Sequence, residues 1–342
     1  MKFNDRSYSD KKLEELAREK LNERGNAPWF EFNSEIYSQG KIFRKIYKFP
    51  KRLSLPFSSD HGVNIQPTYD EYERSTKGPY FTWNKKKYRK IISTKREVYF
   101  VKHPWVHYKE KINFKRKKKN SGTIAFFPKS IEALKVNHKF INKYMKLLKK
   151  LPNECKPITI CLFYYDINKK LHKKLRKFNF PIVTVGNSSS IHFVDRFYKL
   201  INNFKYATSP LGGRPGSYFY FCIDALVPFF FYGRGIEYYS KESKFFKKGK
   251  VKLHEVFSQK YSSKKEYKKM LNITKKFSKI TPNVSKQQLK IVREFLGYNS
   301  KISKVKINLI LWKSFIKNLF IIFKIYYYAF KGTKIRKFIK SS

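Results

Sequence analysis

Between residues 157 and 233, apolar runs of strand length alternate with amphipathic segments of helix length. Four runs are expected to be strands: PITICLFYYDI (157–167), PIVTVGN (181–187), KYATS (205–209) and PFFFYG (228–233). The segments between them, 169–180, 194–204 and 216–226, are expected to be helices. Apolar strands joined by short helical crossovers are typical of a parallel sheet covered on both faces. We therefore predict a doubly wound α/β sheet in this part of the chain.

The N-terminal part shows the same alternation less clearly. A helix is expected at 9–25, capped by Ser9 or Asp10 and ended by Gly25. Further along we expect a short strand and loop at 51–63, a strand at 98–108 ending at Pro104, a charged linker at 115–122, a strand at 123–130 and a helix at 140–152. The predicted organisation is a helical extension (1–40), a first Rossmann-like domain (41–150), a second one (151–300) and a C-terminal segment (301–342).

The C-terminal segment is predicted to be a long apolar helix with a narrow basic stripe. Its lysines recur at intervals of 7, 4, 7 and 7 residues, which aligns them at about 100° per residue (Lys306, Lys313, Lys317, Lys324 and Lys331). The longest uncharged run is shorter than the roughly 20 residues that a membrane span needs. An amphipathic helix lying in the plane of an anionic bilayer fits this pattern. Packing of the helix against the domains is the alternative.

A glycine-dense turn precedes the predicted helix at 216–226. Its glycines let the backbone turn sharply and approach a ligand, and Pro215 suits the first turn of a helix. A helix N-terminus after a parallel strand presents N–H groups and the positive end of the helix dipole to an anion. We therefore predict a phosphate site here, although a plain strand-to-helix turn is the alternative. The candidate binding residues are Thr208, Ser209, Gly213, Arg214, Gly216 and Ser217.

Two other loops carry candidate chemistry. His61 follows a predicted strand of the first domain, and its imidazole can deprotonate an acceptor hydroxyl near neutral pH, with Asp60 as the group that orients it. A structural loop histidine is the alternative. Gly186, Asn187 and Ser188 follow a strand of the second domain and are candidates for contacts with a base or ribose. A simple polar loop is the alternative there.

We predict no metal site. Metal-dependent sugar transfer commonly uses an Asp-x-Asp pair, and no two of the seven aspartates are two residues apart. His103 and His107 have a spacing that suits a metal only on a helix, and Pro104 makes a helix unfavourable there. His103 is instead a candidate to line a cleft. Cys155, Cys161 and Cys222 fit no metal or disulfide spacing, which is typical of a reducing compartment.

Charge and composition limit the classes of partner that the protein can have. The net charge of +53 points to a polyanionic partner or to composition bias, and the even spread of lysine favours bias for most of it. We recognise no zinc pattern, RNP motif or helix-turn-helix, so no specific nucleic-acid partner is expected. With 41% hydrophobic residues the chain can form cores, which excludes disorder. The first residues contain no apolar signal, so export is not expected.

Several segments taken in order resemble bacterial capsule and surface-polysaccharide biosynthesis proteins with the GT-B type of glycosyltransferase fold. The resemblance covers roughly residues 40 to 235 and is carried by SSDHGV (58–63), VYFVKHPWVHY (98–108), GTIAFFPKS (122–130), LPNECKPITICLFYYDIN (151–168), FPIVTVGN (180–187), FVDRFYKLINNFKYATS (193–209) and GSYFYFCIDALVPFFFYG (216–233). The chain departs from the family pattern at Pro210 with the LGGRPG loop, and at Asn187, Phe221 and Leu226.

The resemblance implies two Rossmann-like domains facing a cleft. A nucleotide-sugar donor would bind mainly to the second domain, with its phosphates on the glycine turn, and a glycan or lipid-linked acceptor to the first. No cofactor is expected. The expected activity is metal-independent sugar transfer at the inner face of the plasma membrane. Transfer of glycerol- or ribitol-phosphate, as in teichoic-acid synthesis, is one alternative, and a non-catalytic, membrane-associated role in polysaccharide assembly is another.

Overall fold

The fold combines α-helices with short parallel strands. The computed structural model describes residues 6–19, 34–51, 53, 55–63, 65, 67, 69, 71–75, 78–117, 120–128, 134–210, 215–233, 238–240, 249–251 and 264–330. The first part of the chain contains α1 (Asp10–Arg18), α2 (Gln39–Ile46), β1 (Ser58–Ser59), α3 (Glu71–Ser75), β2 (Tyr80–Thr82), α4 (Lys85–Ile92), β3 (Val98–Phe100) and α5 (Pro104–Lys111). Strands β1, β2 and β3 form a parallel sheet in that order.

The second part builds a larger sheet. It contains β4 (Thr123–Phe126), β5 (Leu134–Val136), α6 (His138–Lys149), β6 (Ile158–Cys161), α7 (Tyr164–Asn168), α8 (Leu171–Leu175), β7 (Ile182–Val183), α9 (Phe193–Ile201), β8 (Tyr206–Pro210), α10 (Ser217–Asp224) and β9 (Phe229–Tyr232). Five of these strands pair in parallel in the order β7-β6-β4-β8-β9. The alternation predicted for 157–233 is therefore confirmed, and with it a doubly wound parallel sheet, but the strand predicted at 157–167 ends at Cys161 and its second half belongs to helix α7.

This sheet draws strands from both sides of the domain boundary expected at residue 150. Strand β4 lies at its centre, between β6 and β8, and helix α6 packs on the same core as β6. The two parallel sheets are separated in sequence near the charged segment 115–122 instead. A boundary at 150 would cut the second sheet, because β4 pairs with β6 along four residues.

Both faces of the second sheet are covered, as its continuous apolar strands predict. Alternate side chains of a strand point to opposite faces. Ile124 and Phe126 belong to one buried cluster, which also contains residues of the first sheet, and Ala125 and Phe127 belong to the other. The first sheet and one face of the second therefore share a hydrophobic core.

Helix α5 corrects the prediction that Pro104 ends a strand and prevents a helix. Pro104 occupies the first turn, where its missing N–H is not needed, and the His103 side chain caps the helix by accepting from the Trp105 N–H. The strand before it is only three residues long. Helix α1 confirms its predicted start, because the Ser9 side chain accepts from the Lys12 N–H. The helix ends at Arg18, earlier than the predicted end at Gly25, which lies outside the described residues.

The remaining elements are β10 (Tyr238–Ser240), β11 (Gly249–Val251), α12 (Lys264–Lys276), α13 (Lys286–Phe295) and α14 (Lys304–Phe330). Strand β10 pairs antiparallel with both β5 and β11. A capping box formed by Ser285 and Gln288 begins α13. Within the part of the chain that the structure describes, no helix combines the length and apolar composition needed to cross a membrane.

Candidate functional site

The loop that contains His61 contacts the beginning of α10. The backbone N–H of Val63 donates to Ser217 Oγ at 3.0 Å. Gly62 lies so close that a Cβ on it would be 2.7 Å from the same hydroxyl oxygen. Absence of a side chain at Gly62 thus allows the two loops to touch. The structure therefore brings together the His61 loop and the beginning of the helix that follows the glycine turn.

This contact lies at the topological switch point of the second sheet. From β4 the chain adds β6 and then β7 on one side, and then returns to add β8 and β9 on the other. The crevice outside the carboxyl ends of such strands is where ligands of doubly wound sheets bind. Helix α10 is the next helix after β8 in the chain, so its start is expected at this edge of the sheet. Gly216 caps it in an extended conformation without a side-chain hydrogen bond.

The predicted phosphate-binding residues have different surroundings. Thr208 Oγ1 donates to the Phe230 carbonyl at 2.7 Å, so this hydroxyl fastens β8 to β9. Ser209 is buried near the end of β8, and Ser217 begins α10. Gly213 and Arg214 lie outside the described residues. Among the described side chains of the turn, Ser217 is the one in contact with the His61 loop.

Gly216 has a structural role that the sequence did not predict. A Cβ at this position would lie 2.3 Å from Cε1 of Tyr218. The Tyr218 ring stacks on Phe126 with centroids 4.5 Å apart. Burial raises the pKa of Tyr218 to about 12, although a hydrogen bond with Ser209 acts to lower it. Gly216 is therefore needed to accommodate a neutral, stacked tyrosine beside the start of α10.

His61 is exposed and lies against Tyr37. The Tyr37 hydroxyl is 3.5 Å from His61 Nε2, and the two rings meet edge to face with centroids 5.4 Å apart. Tyr37 has a left-handed backbone with a φ of 56°, which is held by a bond from its N–H to the Ser188 carbonyl at 2.6 Å. Such strained residues cluster at functional sites. Tyr37 was missed because nothing in its local sequence signals this conformation.

Asp60 does not orient His61. Its Oδ1 accepts from Tyr80 at 3.0 Å and from Lys87 Nζ at 2.6 Å, and its Oδ2 accepts from Thr82 at 2.6 Å. The carboxylate thus points into the first sheet, away from the imidazole that the sequence predicted it to orient. Adjacent side chains at a strand end diverge, which explains the correction. Asp60 instead fixes the start of the loop.

Lys87 is the centre of this buried network. Its ammonium also contacts Glu73 Oε1 at 2.6 Å. Burial opposes the charge of Lys87, but the carboxylates of Asp60 and Glu73 outweigh it and raise the lysine's pKa. Burial raises the pKa of Glu73, against the stabilising ammonium. The buried ammonium of Lys87 thus contacts two carboxylates beneath the His61 loop.

The loop at 186–190 holds the N-terminal helix. The backbone N–H of Asn187 donates to Leu16 at 2.9 Å, and its side-chain amide donates to the Ala17 carbonyl at 3.2 Å. Gly186 has a φ of +98°, and a Cβ there would lie 3.2 Å from the Leu16 carbonyl oxygen. The Ser188 carbonyl accepts from Tyr37. Several polar groups that the sequence predicted to contact a base or ribose are therefore already hydrogen-bonded within the protein.

A cavity of about 440 Å³ opens beside this loop. Its lining residues are Glu14, Ala17, Arg18, Tyr164, Asn168, Lys170, Asn187 and Ser189. It lies at the carboxyl ends of β6 and β7, to one side of the switch point. Burial raises the pKa of Tyr37, and Tyr164 raises it further.

The histidine that caps α5 is structural. His103 is buried between Trp83 and Phe221, with ring centroids 4.2 and 4.8 Å away, so it does not line an open site. Burial lowers its pKa well below the usual value. Among the described residues, no group of three or more His, Cys, Asp or Glu side chains is arranged to hold a metal ion.

Comparison of the chain with protein-family models, with curated proteins and with solved structures gives no match.

Proposed function

We propose that this protein is a glycosyltransferase that moves a sugar from a nucleotide-sugar donor to a growing surface polysaccharide or a lipid-linked acceptor. The observation that carries the proposal is the 3.0 Å bond between Val63 and Ser217. It joins a histidine loop at the carboxyl end of one parallel sheet to a helix N-terminus at the switch point of another. Such an arrangement can present a base and an anion site to one substrate pair.

His61 is the proposed general base. Its imidazole is exposed beside the start of α10, and Tyr37 at 3.5 Å limits its orientation. General-base catalysis of this kind contributes roughly 10²–10⁴-fold to a rate. Asp60 contributes indirectly, as a positioning residue, because its bonds to Lys87 and Thr82 fix the strand end from which His61 projects.

The donor phosphates are proposed to lie at the start of α10. The N–H groups of its first turn and the Ser217 hydroxyl offer hydrogen bonds, and the helix dipole favours a negative charge there. These fixed dipoles would stabilise the departing nucleoside diphosphate, so that no metal ion is required. The nucleoside would extend toward the cavity beside Ser189 and Tyr164, which has room for it.

A glycerol- or ribitol-phosphate transferase would use the same residues. In that reaction the acceptor hydroxyl attacks a phosphorus atom of the donor, and CMP is the leaving group. A histidine base and a helix N-terminus serve this chemistry equally well. The two reactions differ in the donor, which is CDP-linked in the second case.

A non-catalytic role in polysaccharide assembly is favoured by one observation. The Tyr218 ring lies against Gly216, where a donor phosphate would approach the backbone. If the ring does not move, it leaves less space for a phosphate at the start of α10. Nucleotide binding separates this alternative from the two transferase activities.

The test is a thermal-shift screen with UDP, GDP, CMP and CDP, followed by an assay of the matching sugar or alditol donor. A nucleotide at 100 times its dissociation constant should stabilise the protein by about 2.7 kcal/mol. Stabilisation by UDP or GDP supports sugar transfer, and stabilisation by the cytidine nucleotides supports alditol-phosphate transfer. If none of the four stabilises the protein, both transferase proposals fail and the non-catalytic role is favoured.

We also propose that the protein works at the inner face of the plasma membrane, bound peripherally to anionic lipid. A lipid-linked acceptor would be presented at this surface. The basic stripe of the C-terminal segment supports this proposal, because each lysine near an anionic bilayer contributes about 1 kcal/mol of attraction. Lys331 lies outside the described residues.

A further inference from the structure

Helix α14 has one face that packs against the protein. Ile307, Ile310 and Leu311 are buried on this face. Ser314 Oγ donates to the Pro56 carbonyl at 2.6 Å, and the Asn308 side chain donates to the Tyr47 carbonyl. The first half of the helix is therefore fastened to the segment that leads into β1.

A second face of α14 is apolar and exposed. Its large side chains recur every three or four residues, which places them within an arc of about 80° on one side of the helix. They are Val305 (71% exposed), Leu309 (63%), Trp312 (36%), Ile316 (50%) and Phe320 (71%). An exposed apolar stripe of this size on a soluble surface marks an interaction site. A helix that served only to complete the core would carry polar residues here.

Exposed lysines border the apolar stripe along one side. Lys306, Lys313 and Lys317 lie about 80–120° around the helix from Val305. Helix α14 contains no acidic residue, and the chain as a whole carries a net charge of +53. A partner that covers this face must therefore supply negative charge beside an apolar surface. A second copy of the same chain would bring more positive charge to the contact.

We propose that this exposed face of α14 inserts into the headgroup region of an anionic lipid bilayer. Apolar side chains would lie at the level of the acyl boundary, and the flanking lysines would contact anionic headgroups. Trp312 suits this depth, since indole rings favour the membrane interface. The buried residues and the exposed stripe lie on different sides of the helix and meet at Trp312, whose ring also packs against Phe49 with centroids 5.4 Å apart. The helix therefore remains attached to the protein when it binds lipid.

The attachment of α14 also sets the orientation of the protein. The helix is bonded to Tyr47 and Pro56, which precede β1 and the His61 loop. The first sheet, rather than the five-stranded sheet, therefore lies next to the bilayer. This brings the proposed acceptor side to the membrane, an interpretation that rests on the proposed function, whereas lipid binding itself does not.

The test is cosedimentation of the full chain with phosphatidylcholine vesicles, with and without phosphatidylglycerol. The wild-type protein should bind the anionic vesicles and bind the neutral ones weakly. The double variant Leu309→Ser/Ile316→Ser should reduce the partition coefficient at least about tenfold, because two exposed apolar side chains are lost. Ile92→Ser is the matched control, as Ile92 is 54% exposed elsewhere on the surface and should bind like wild type.

Charge is tested separately. Lys313→Gln should weaken binding to anionic vesicles about fivefold and leave binding to neutral vesicles unchanged. Wild-type protein that fails to bind anionic vesicles would overturn the proposal, as would a Leu309→Ser/Ile316→Ser variant that binds them normally. Analytical ultracentrifugation tests whether the exposed face of α14 instead contacts a second copy of the chain. If the double variant converts a dimer to a monomer without changing vesicle binding, the face is a protein interface. Neither measurement depends on a nucleotide donor or on turnover.

Discussion

The two loops that meet at the candidate site are held in place by opposite kinds of packing. Beneath His61, the buried ammonium of Lys87 contacts the carboxylates of Asp60 and Glu73 at 2.6 Å each. Beside the start of α10, the Tyr218 ring stacks on Phe126 at a centroid distance of 4.5 Å. One loop is thus fixed by charges and the other by aromatic rings.

The difference has a physical consequence for stability. A buried ion network is costly to desolvate and tolerates no missing partner, so it specifies position more than it adds stability. Stacked aromatic rings contribute mainly through buried apolar area and tolerate changes in pH and salt. We therefore expect the first-sheet region to be the one that responds to charge and pH, and the second-sheet region to respond to lost volume.

The largest expected effect is on turnover. His61→Ala should lower kcat roughly 10²–10⁴-fold, because the acceptor hydroxyl loses its base. The nucleotide should bind as before, since its proposed site lies on α10. Steady-state kinetics and nucleotide titration of the same variant measure both quantities. An active His61→Ala enzyme would remove this role from His61.

Removal of the buried cation should affect stability strongly. Lys87→Met removes the buried cation between the carboxylates of Asp60 and Glu73 and should cost about 3–5 kcal/mol in the free energy of unfolding. Urea denaturation measures the change. Lys86→Met, at an exposed position of the same helix, is the control and should stay within about 0.5 kcal/mol of wild type. Equal stability of both variants would show that the ion network is not needed.

The corresponding change in the second region removes volume. Phe126→Ala deletes a ring that is 5% exposed and stacks on Tyr218, and it should cost about 3–5 kcal/mol. The loss from Lys87→Met should shrink at low pH, where the carboxylates of Asp60 and Glu73 become protonated, whereas the loss from Phe126→Ala should not depend on pH. Denaturation of the two variants at pH 7 and at low pH would sharpen the comparison, and an equal response to pH would contradict it.

The loss of stability at low pH should come from the first-sheet region, which includes His107. Burial lowers the pKa of His107 to about 4, with help from the Lys102 ammonium and against the Glu110 carboxylate. The pKa of His107 in the folded protein lies below the unfolded value of about 6.5, so the unfolded state binds the proton more tightly. The free energy of unfolding therefore keeps its full value above pH 6.5 and decreases as the pH falls toward 4. The loss amounts to at most about 3 kcal/mol. His107→Gln should flatten the fall in stability between pH 7 and 4.5, and an unchanged slope would exclude His107 as its source.

Much of the second sheet was predictable from sequence, because continuous apolar strands and short crossovers have a strong pattern. The first sheet was less predictable, since its strands are only two or three residues long. The sequence assigned the His61 loop and the start of α10 to two domains facing a cleft, but it did not predict the direct bond between Val63 and Ser217. Tyr37 and Lys87 were missed because their roles depend on contacts between distant segments.

The errors share one cause. Pro104 was interpreted as a helix breaker, whereas it begins a helix that His103 caps. Asp60 was paired with its sequence neighbour, whereas its carboxylate bonds to Lys87, 27 positions along the chain. Local patterns identify elements well, but the direction of a side chain at a loop depends on tertiary packing that a linear sequence does not show.

The most direct test of the account is nucleotide binding by Ser217→Asp. The new carboxylate would occupy the proposed phosphate position, while remaining an acceptor for the Val63 N–H that now bonds Ser217. An acid near a helix N-terminus normally stabilises by about 0.3–1 kcal/mol, so the melting temperature should be kept or rise slightly. Binding of the nucleotide that stabilises the wild type should be lost through like-charge repulsion. If Ser217→Asp binds that nucleotide as tightly as wild type does, the start of α10 is not the phosphate site and the central claim is wrong.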